Sequence, residues 1–535
     1  MNAGVRKDLP IAALLLALLA GAVSLSQEII WVRAISFMTA SRPEGFGFTL
    51  GSFLIGIAIG ALIGKRVCAS GADGALASGV MLVISAVLFL VALPLAAFAA
   101  VRGTQLPAFI LVALTAAATG GVFPIVCEMA RGAGAAGRAV SRVYLANIIG
   151  ATGGSLFTGF VLLDLMPIEG AAATIAVSGA LAAAYAFAVS RSAPLIRSGG
   201  VVAACGACLF ALVAGGALFA NFLENLQYEK EYPRSQPFKA VLQNRHGIIT
   251  IDDATKPGDA DIVYGGGVYD GKYSVDPLSP NGIHRCYMIA ALHPEPRRVL
   301  EVGLSSGSWA AALLRHEALE SMEVVEINPG YLEALAPYPE NAVVLDDPRV
   351  TIHIDDGRRW LGLLDESEKF DFILMNTTFH WRSHASNLLS TEFLELCKSH
   401  LAPGGVVYYN TTGSDDVVRT AAEVFEHVTM VGNFVAGSDR PFDIKGEARR
   451  EQLLRFKDQD GEPSFLRTEA FRRELDELVA LELPELGPPM RASDHRVITD
   501  DNMASEYERY PDRLFSREAS WGAMWARMRA AASGD

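Results

Sequence analysis

Cysteine is scarce in this 535-residue chain: there are six, of which Cys68, Cys127, Cys205 and Cys208 lie in or beside apolar stretches and only Cys286 and Cys397 lie elsewhere. That number and scatter exclude a disulfide framework, and no Cys/His spacing typical of a zinc site occurs, so no metal is expected. Cys205 and Cys208 have the CxxC spacing but sit inside an apolar run, where small residues serve packing. Charge is scarce as well, at 19% of residues, and unevenly spread. Residues 1–222 hold 12 Lys/Arg and 7 Asp/Glu, against 33 and 52 in the remainder. The acidic remainder has no basic stripe, which argues against nucleic acid as a partner.

The uncharged part is filled by a series of long apolar runs, and the mean hydropathy of the whole chain is +0.28. About twenty apolar residues span the hydrocarbon of a bilayer. Seven such runs succeed one another near 10–33, 46–64, 75–100, 106–130, 143–165, 170–190 and 199–222. The first is too long for a cleavable signal peptide, lacks a small-residue cleavage site and precedes more spans. The expectation is a multi-pass α-helical membrane bundle of about seven transmembrane helices over 1–222, in a plasma (inner) membrane.

Within it, Gly56, Gly60 and Gly64 recur every four residues, and Gly150 with Gly154 repeat the pattern, which lets helix backbones approach closely in lipid. Glu28 and Glu128 fall within or at the ends of spans, each near an arginine, Arg33 and Arg131, as expected of interfacial pairs. Nine Lys/Arg flank one set of loops and three the other, which puts the N-terminus inside. Seven spans then put the remainder of the chain outside the cytoplasm.

From about residue 240 the pattern changes to short β-type runs with turn residues, Gly247-Ile-Ile-Thr-Ile251 and Asp261-Ile-Val-Tyr264 before Gly265-Gly266-Gly267, which reads as a β-hairpin subdomain over 223–292 with its linker. After His293-Pro294 strand and helix alternate, implying a Rossmann-like α/β domain over 293–440 with a parallel sheet covered on both faces. Its strands are Arg298–Gly303, Met322–Glu326, Val350–Ile354, Phe370–Met375 and Gly405–Tyr409. Residues 441–535 read as a helical extension, with a solvated amphipathic helix over 445–480 and a packed face marked by Trp521 and Trp525.

In such sheets a ligand sits at the carboxyl ends of the strands, near the switch in strand order. The turn Gly303-Leu-Ser-Ser306-Gly307 opens a helix and lets the backbone come close to a ligand. Glu326 ends the second strand about twenty residues later, where an acid can accept both hydroxyls of a ribose. Asp355, Asp356 and Gly357 end the third, where a carboxylate or its neighbouring amides can hold a purine edge. Together these point to an adenosine-type ligand.

The segment from about 240 to 430 resembles the spermidine synthase (polyamine aminopropyltransferase) family. The residues that carry the likeness are His293-Pro294-x-Pro296-x-x-Val299-Leu300, the glycine turn, Val325-Glu326-Ile327, Asp356-Gly357-Arg358, Phe370-Asp371 and Leu401-x-Pro403-Gly404-Gly405-Val406. The whole chain is similar to the membrane-fused members, the fused major-facilitator and spermidine synthase type. The resemblance implies a transferase with S-adenosylmethionine or decarboxylated S-adenosylmethionine as co-substrate, Glu326 on the ribose and Asp356 at the adenine. It also implies a small-molecule acceptor, an amine or an apolar compound, and a homodimer as often found in the family.

The chain departs from the family in the amine half of the site. The family's glycine turn carries an aspartate for the aminopropyl ammonium, where this chain reads Leu304-Ser305-Ser306, and its catalytic aspartate after the fourth strand is matched by Asn376-Thr377-Thr378-Phe379. An amide cannot take a proton from an ammonium. The family glutamine after the hairpin strand corresponds to Asp270, which with Tyr264 is expected to face the substrate. Immediately after Phe379 stands the cluster His380-Trp381-Arg382-Ser383-His384. His380 has the residue type of a base near neutral pH, and Arg382 that of a carboxylate or phosphate clamp. The alternative is a loop in which Trp381 packs while His380 and Arg382 are solvated. Ser390 reads as a helix N-cap, and Asn410-Thr411-Thr412 fits either an Asn-glycosylation motif or a turn. These residues support two readings of function: an alkyl-transferring enzyme with an altered acceptor side, and a non-catalytic binding or assembly protein that keeps the fold. A transporter regulated by its soluble domain is a third.

Overall fold

The computed structural model describes residues 9–131, 136–228, 237–254, 259–376 and 379–508. The expectation for Trp521 and Trp525 lies outside the described residues, as do Thr377 and Thr378. The chain divides into two compact units, Met1–Pro237 with Gln243–Arg245, and Phe238–Leu242 with His246–Asp535.

In the first unit, seven helices are long and apolar enough to cross a membrane: Ile11–Met38, Pro43–Ala69, Gly74–Val101, Leu106–Ala130, Gly137–Leu165, Ile168–Val189 and Pro194–Leu218. The glycine repeats explain how two pairs of them pack. A Cβ on Gly56, Gly60 or Gly64 would stand 2.2, 2.2 or 2.3 Å from the carbonyl oxygens of Ala113, Ala117 and Gly121 in the fourth helix. On Gly150 and Gly154 it would stand 1.9 and 2.4 Å from Leu18 O and Ala22 O in the first. Only hydrogen fits at these crossings, so the helix backbones lie in direct contact there. Polar side chains between helices are paired, as Gln27 Nε2 with Ser85 Oγ at 3.0 Å and Trp31 Nε1 with Thr115 Oγ1 at 3.1 Å. Glu128 pairs with Arg131 at 3.3 Å, both well exposed.

In the second unit the expected hairpin is larger: a four-stranded sheet in the order β1-β2-β3-β4, with β1 Ala240–Asn244, β2 Gly247–Asp252, β3 Ile262–Gly265 and β4 Val268–Lys272. The second sheet has seven strands, β5 Arg298–Val302, β6 Ser321–Glu326, β7 Val350–Ile354, β8 Phe370–Met375, β9 Leu401–Asn410, β10 His427–Val431 and β11 Phe434–Ser438. Its order is β10-β11-β9-β8-β5-β6-β7. The expected parallel sheet is therefore mixed, because β10 and β11 form a hairpin that adds antiparallel to β9.

The strands alternate between two apolar clusters. Val299, Val324, Phe372 and Tyr408 face one layer, and Leu300, Val325, Ile373 and Tyr409 the other, all essentially buried. Full burial on both faces is what makes these strands near-continuous apolar runs. The expected solvated helix over 445–480 is instead two helices, Gly446–Leu453 and Glu469–Ala480, and Leu453, Phe456, Phe465, Leu475 and Leu478 enter the core. Its helical spacing reflects an apolar stripe, and that stripe is packed rather than wet.

Candidate active site

Strand order reverses between β5 and β8. The chain runs outward from β5 through β6 to β7, then crosses back to β8 on the other side of β5. The loops leaving β5 and β8 therefore part in opposite directions and open a crevice at their carboxyl ends.

The turn after β5 needs its glycines: φ is +89° at Gly303 and +64° at Gly307, and Ser305 between them is also left-handed at +51°. The carboxylate of Glu326, at the end of β6, supports this turn from below. Its Oε2 accepts from Leu304 N and its Oε1 from Asn328 N, both at 2.8 Å. The residue is only 2% exposed, and burial pushes its pKa up to about 7 against the pull of those backbone bonds. Asp355 comes after β7, its own N–H bonded to Glu326 O at 3.2 Å, and pairs with Arg359 at 2.5 Å. Asp356 caps the short helix Gly357–Leu361 by accepting from Arg359 N at 2.8 Å. Gly357 lets that helix lie on β5, since a Cβ there would meet Val302 at 2.5 Å. Gly303, Ser306, Gly307, Glu326, Asp355, Asp356 and Gly357 thus lie on the turns that leave three adjacent strands.

Beside them is a small pocket, partly open to solvent. Ser306 and Asn376 bring the ends of β5 and β8 to its wall, and Phe379, Asp270 and Tyr269 complete that side. Tyr269, not the expected Tyr264, lines it; the two are cross-strand partners whose rings meet edge-on at 6.3 Å. Asp270 is turned toward Tyr331, whose hydroxyl donates to Oδ2 at 2.5 Å, and burial raises its pKa.

The opposite wall has no counterpart among the sequence expectations. Arg285 reaches the pocket with Asn281, Trp309 and Asn410. Its Nε donates to Gly282 O at 2.8 Å, Nη2 to Asn281 O at 2.9 Å and Nη1 to Asn433 Oδ1, and its guanidinium lies 4.8 Å from the Phe434 ring centre. Burial lowers its pKa only to about 10, so it remains a cation at neutral pH. Asn410 is buried and accepts from Thr412 N and Asn433 Nδ2, so it is a turn residue and not a glycan acceptor in the folded chain.

Within the cluster after Phe379, His380 is enclosed by the fold. His380 is 5% exposed, its Nδ1 faces Thr412 Oγ1 at 2.5 Å and Thr411 O at 3.2 Å, and burial lowers its pKa to about 4. Trp381 is buried in the packing, as one of the two expectations had it. Arg382 stands outside the pocket wall, over the Phe379 ring at 5.9 Å, and its charge is felt at Asp270. A C-terminal segment with no readable motif holds this loop. Glu506 accepts from His384 N and Ser386 N at 3.0 Å each, and Asp500 binds Arg358 and the Oγ of Ser390, which caps helix Thr391–Ser399 as expected.

Residues 287–431 match the family model for the spermine/spermidine synthase domain. The polyamine aminopropyltransferase of Mycobacterium tuberculosis (strain ATCC 25618 / H37Rv) is 30% identical over 281 residues, 52% of each chain. The spermidine synthase of Dictyostelium discoideum is 34% identical over 116 residues, 22% of this chain and 40% of that one. The chain thus spans about half the length, or less, of these curated relatives. The solved spermidine synthase from Thermotoga maritima is 18% identical, covering 46% of this chain and 84% of that chain with a TM-score of 0.35. The matched segment includes the turns after β5 to β8, while Tyr269, Asp270, Asn281 and Arg285 precede it.

Proposed function

We propose that the spermidine synthase domain binds an S-adenosyl nucleoside and transfers an alkyl group from its sulfonium to a small-molecule acceptor, with the apolar helices holding it at a membrane. The observation that carries this reading is the buried Glu326 carboxylate under the left-handed Gly303–Gly307 turn. With backbone donors at Leu304, Ser305 and Asn328, the carboxylate keeps a further acceptor site for a ribose hydroxyl. Asp355 and Asp356 then stand at the purine, and the sulfonium tail points past Ser306 into the pocket. Attack on the tail carbon leaves a neutral thioether, so transition-state charge falls at sulfur and rises at the acceptor. Asn376 orients the acceptor through its amide but takes no proton. Nor is His380 the base, since it is buried, protein-bonded and titrates near pH 4. The acceptor therefore reacts as its free base, and its proton passes to water.

The test is to incubate the full-length protein, in detergent with native lipids, with S-adenosylmethionine or its decarboxylated form and identify the nucleoside product by mass spectrometry. Methylthioadenosine supports alkyl transfer. S-adenosylhomocysteine would replace that reaction with methyl transfer, and no product with no binding would overturn the enzyme reading. A non-catalytic assembly role is the second reading. The nine-to-three distribution of basic residues supports it, because the positive-inside expectation for seven spans is a domain away from the cytoplasm, where S-adenosyl nucleosides are made. Reporter fusions at residue 230 separate the two: an extracytoplasmic signal supports assembly, a cytoplasmic one the transferase.

A further inference from the structure

The pocket beside the glycine turn has an unusual charge balance for a site that receives a cationic tail. Among its described lining residues, Asp270 is the carboxylate and Arg285 the guanidinium; the other polar walls are Ser306, Asn281, Asn376, Asn410 and the Tyr269 hydroxyl. The Asp270 carboxylate is engaged by Tyr331. The Arg285 charge is fixed in place by two carbonyls and Asn433 and stands beside the stacked rings of Trp309 and Phe434, 5.7 and 4.8 Å from their centres. A site that holds one guanidinium and one carboxylate matches a zwitterionic end, whose carboxylate faces the guanidinium, better than a lone ammonium that leaves the guanidinium unmatched, and in a buried setting the difference is little screened.

Resting on the nucleoside reading above, we infer that this pocket is a subsite for the amino-acid end of S-adenosylmethionine, with the tail carboxylate facing Arg285 and the amide-lined wall satisfying the ammonium. Ser306 belongs both to the turn that covers Glu326 and to the pocket, so a tail leaving the ribose site enters here directly. The decarboxylated tail would instead bring a single ammonium toward the guanidinium. The group transferred is then 3-amino-3-carboxypropyl. An amine acceptor, as its free base, forms a C–N bond at the tail carbon attached to sulfur; the C–S bond breaks and its electron pair stays on sulfur as methylthioadenosine. The resulting ammonium loses its proton to water.

The experiment compares binding of S-adenosylmethionine, decarboxylated S-adenosylmethionine and methylthioadenosine to the full-length protein by calorimetry. S-adenosylmethionine is expected to bind at least about tenfold tighter than the decarboxylated form, equal to about 1.4 kcal/mol. Arg285→Gln is expected to remove that preference while methylthioadenosine affinity stays unchanged. Because Arg285 is buried and its replacement threatens folding, Ser306→Asp gives an independent arm: a carboxylate added to the pocket should reverse the preference. Equal binding of both tailed nucleosides, or a preference unmoved by Ser306→Asp with methylthioadenosine still bound, overturns the subsite and leaves the nucleoside reading standing. Failure of all three ligands to bind overturns the nucleoside reading itself.

Discussion

The two parts of the crevice are built on different electrostatic plans. Under the turn after β5, a carboxylate is buried and its charge is spread over backbone N–H groups, which suits neutral hydroxyls. In the adjoining pocket a guanidinium and the Tyr331-bound Asp270 carboxylate stand among amides and aromatic rings. A buried acid is tolerable where the scaffold itself supplies donors, and the same scaffold can change its preference for a charged tail by exchanging a few wall residues while leaving the sugar side intact.

The contrast is broken most directly at Glu326. Glu326→Ala strands the N–H groups of Leu304 and Asn328, so the domain should lose about 2–4 kcal/mol of stability, and methylthioadenosine affinity should fall about a hundredfold, as befits a lost charge-assisted bond. Unchanged affinity in a folded variant would remove the sugar half of the comparison. The same carboxyl gives a pH signature. Its folded pKa, near 7, lies above its ordinary value of 4.5, so the native state holds the proton more tightly than the unfolded chain. Its contribution is full below about pH 4.5 and is lost as pH rises through 7. Thermal stability without nucleoside should decline over that window more steeply in the native protein than in Glu326→Gln.

A smaller effect tests whether the pocket side holds a base. His380→Gln should leave the pH dependence of turnover between pH 5 and 8 unchanged, while stability drops by about 1 kcal/mol through weakened bonds to the Thr411-Thr412 turn. A lost limb in the rate profile would restore His380 as a proton acceptor. The smallest expected change is Asp356→Ala, about 1 kcal/mol from the lost cap on Gly357–Leu361, read as a shift in the urea midpoint; Asp356→Asn should recover most of it.

How legible each feature is in the sequence depends on what fixes it. β5 to β9 are apolar runs ended by glycine or polar residues, and their ends carry Gly303, Glu326, Asp355 and Asn376, so strand ends and their turns are visible together. β10 and β11 escape detection because Thr429, Gly437 and the Gly432-Asn433 turn interrupt the apolar pattern. Arg285 has no local signature; its place depends on packing against Trp309 and Phe434 from distant elements. His380 misleads because its residue type indicates a near-neutral titration while its burial does not show in the sequence. Tyr264 and Tyr269 differ by a register that the turn alone does not fix.

The clasp of Glu506 on the loop after β8 has a consequence for biosynthesis. Phe379, a wall of the pocket, begins a loop whose backbone is tied down at His384 and Ser386 by a residue 120 or more positions later. A chain emerging from the ribosome can insert its helices and close its central strands long before that residue exists. The pocket matures last, so a nascent chain displays the sheet and the Glu326 carboxylate well before that wall is finished.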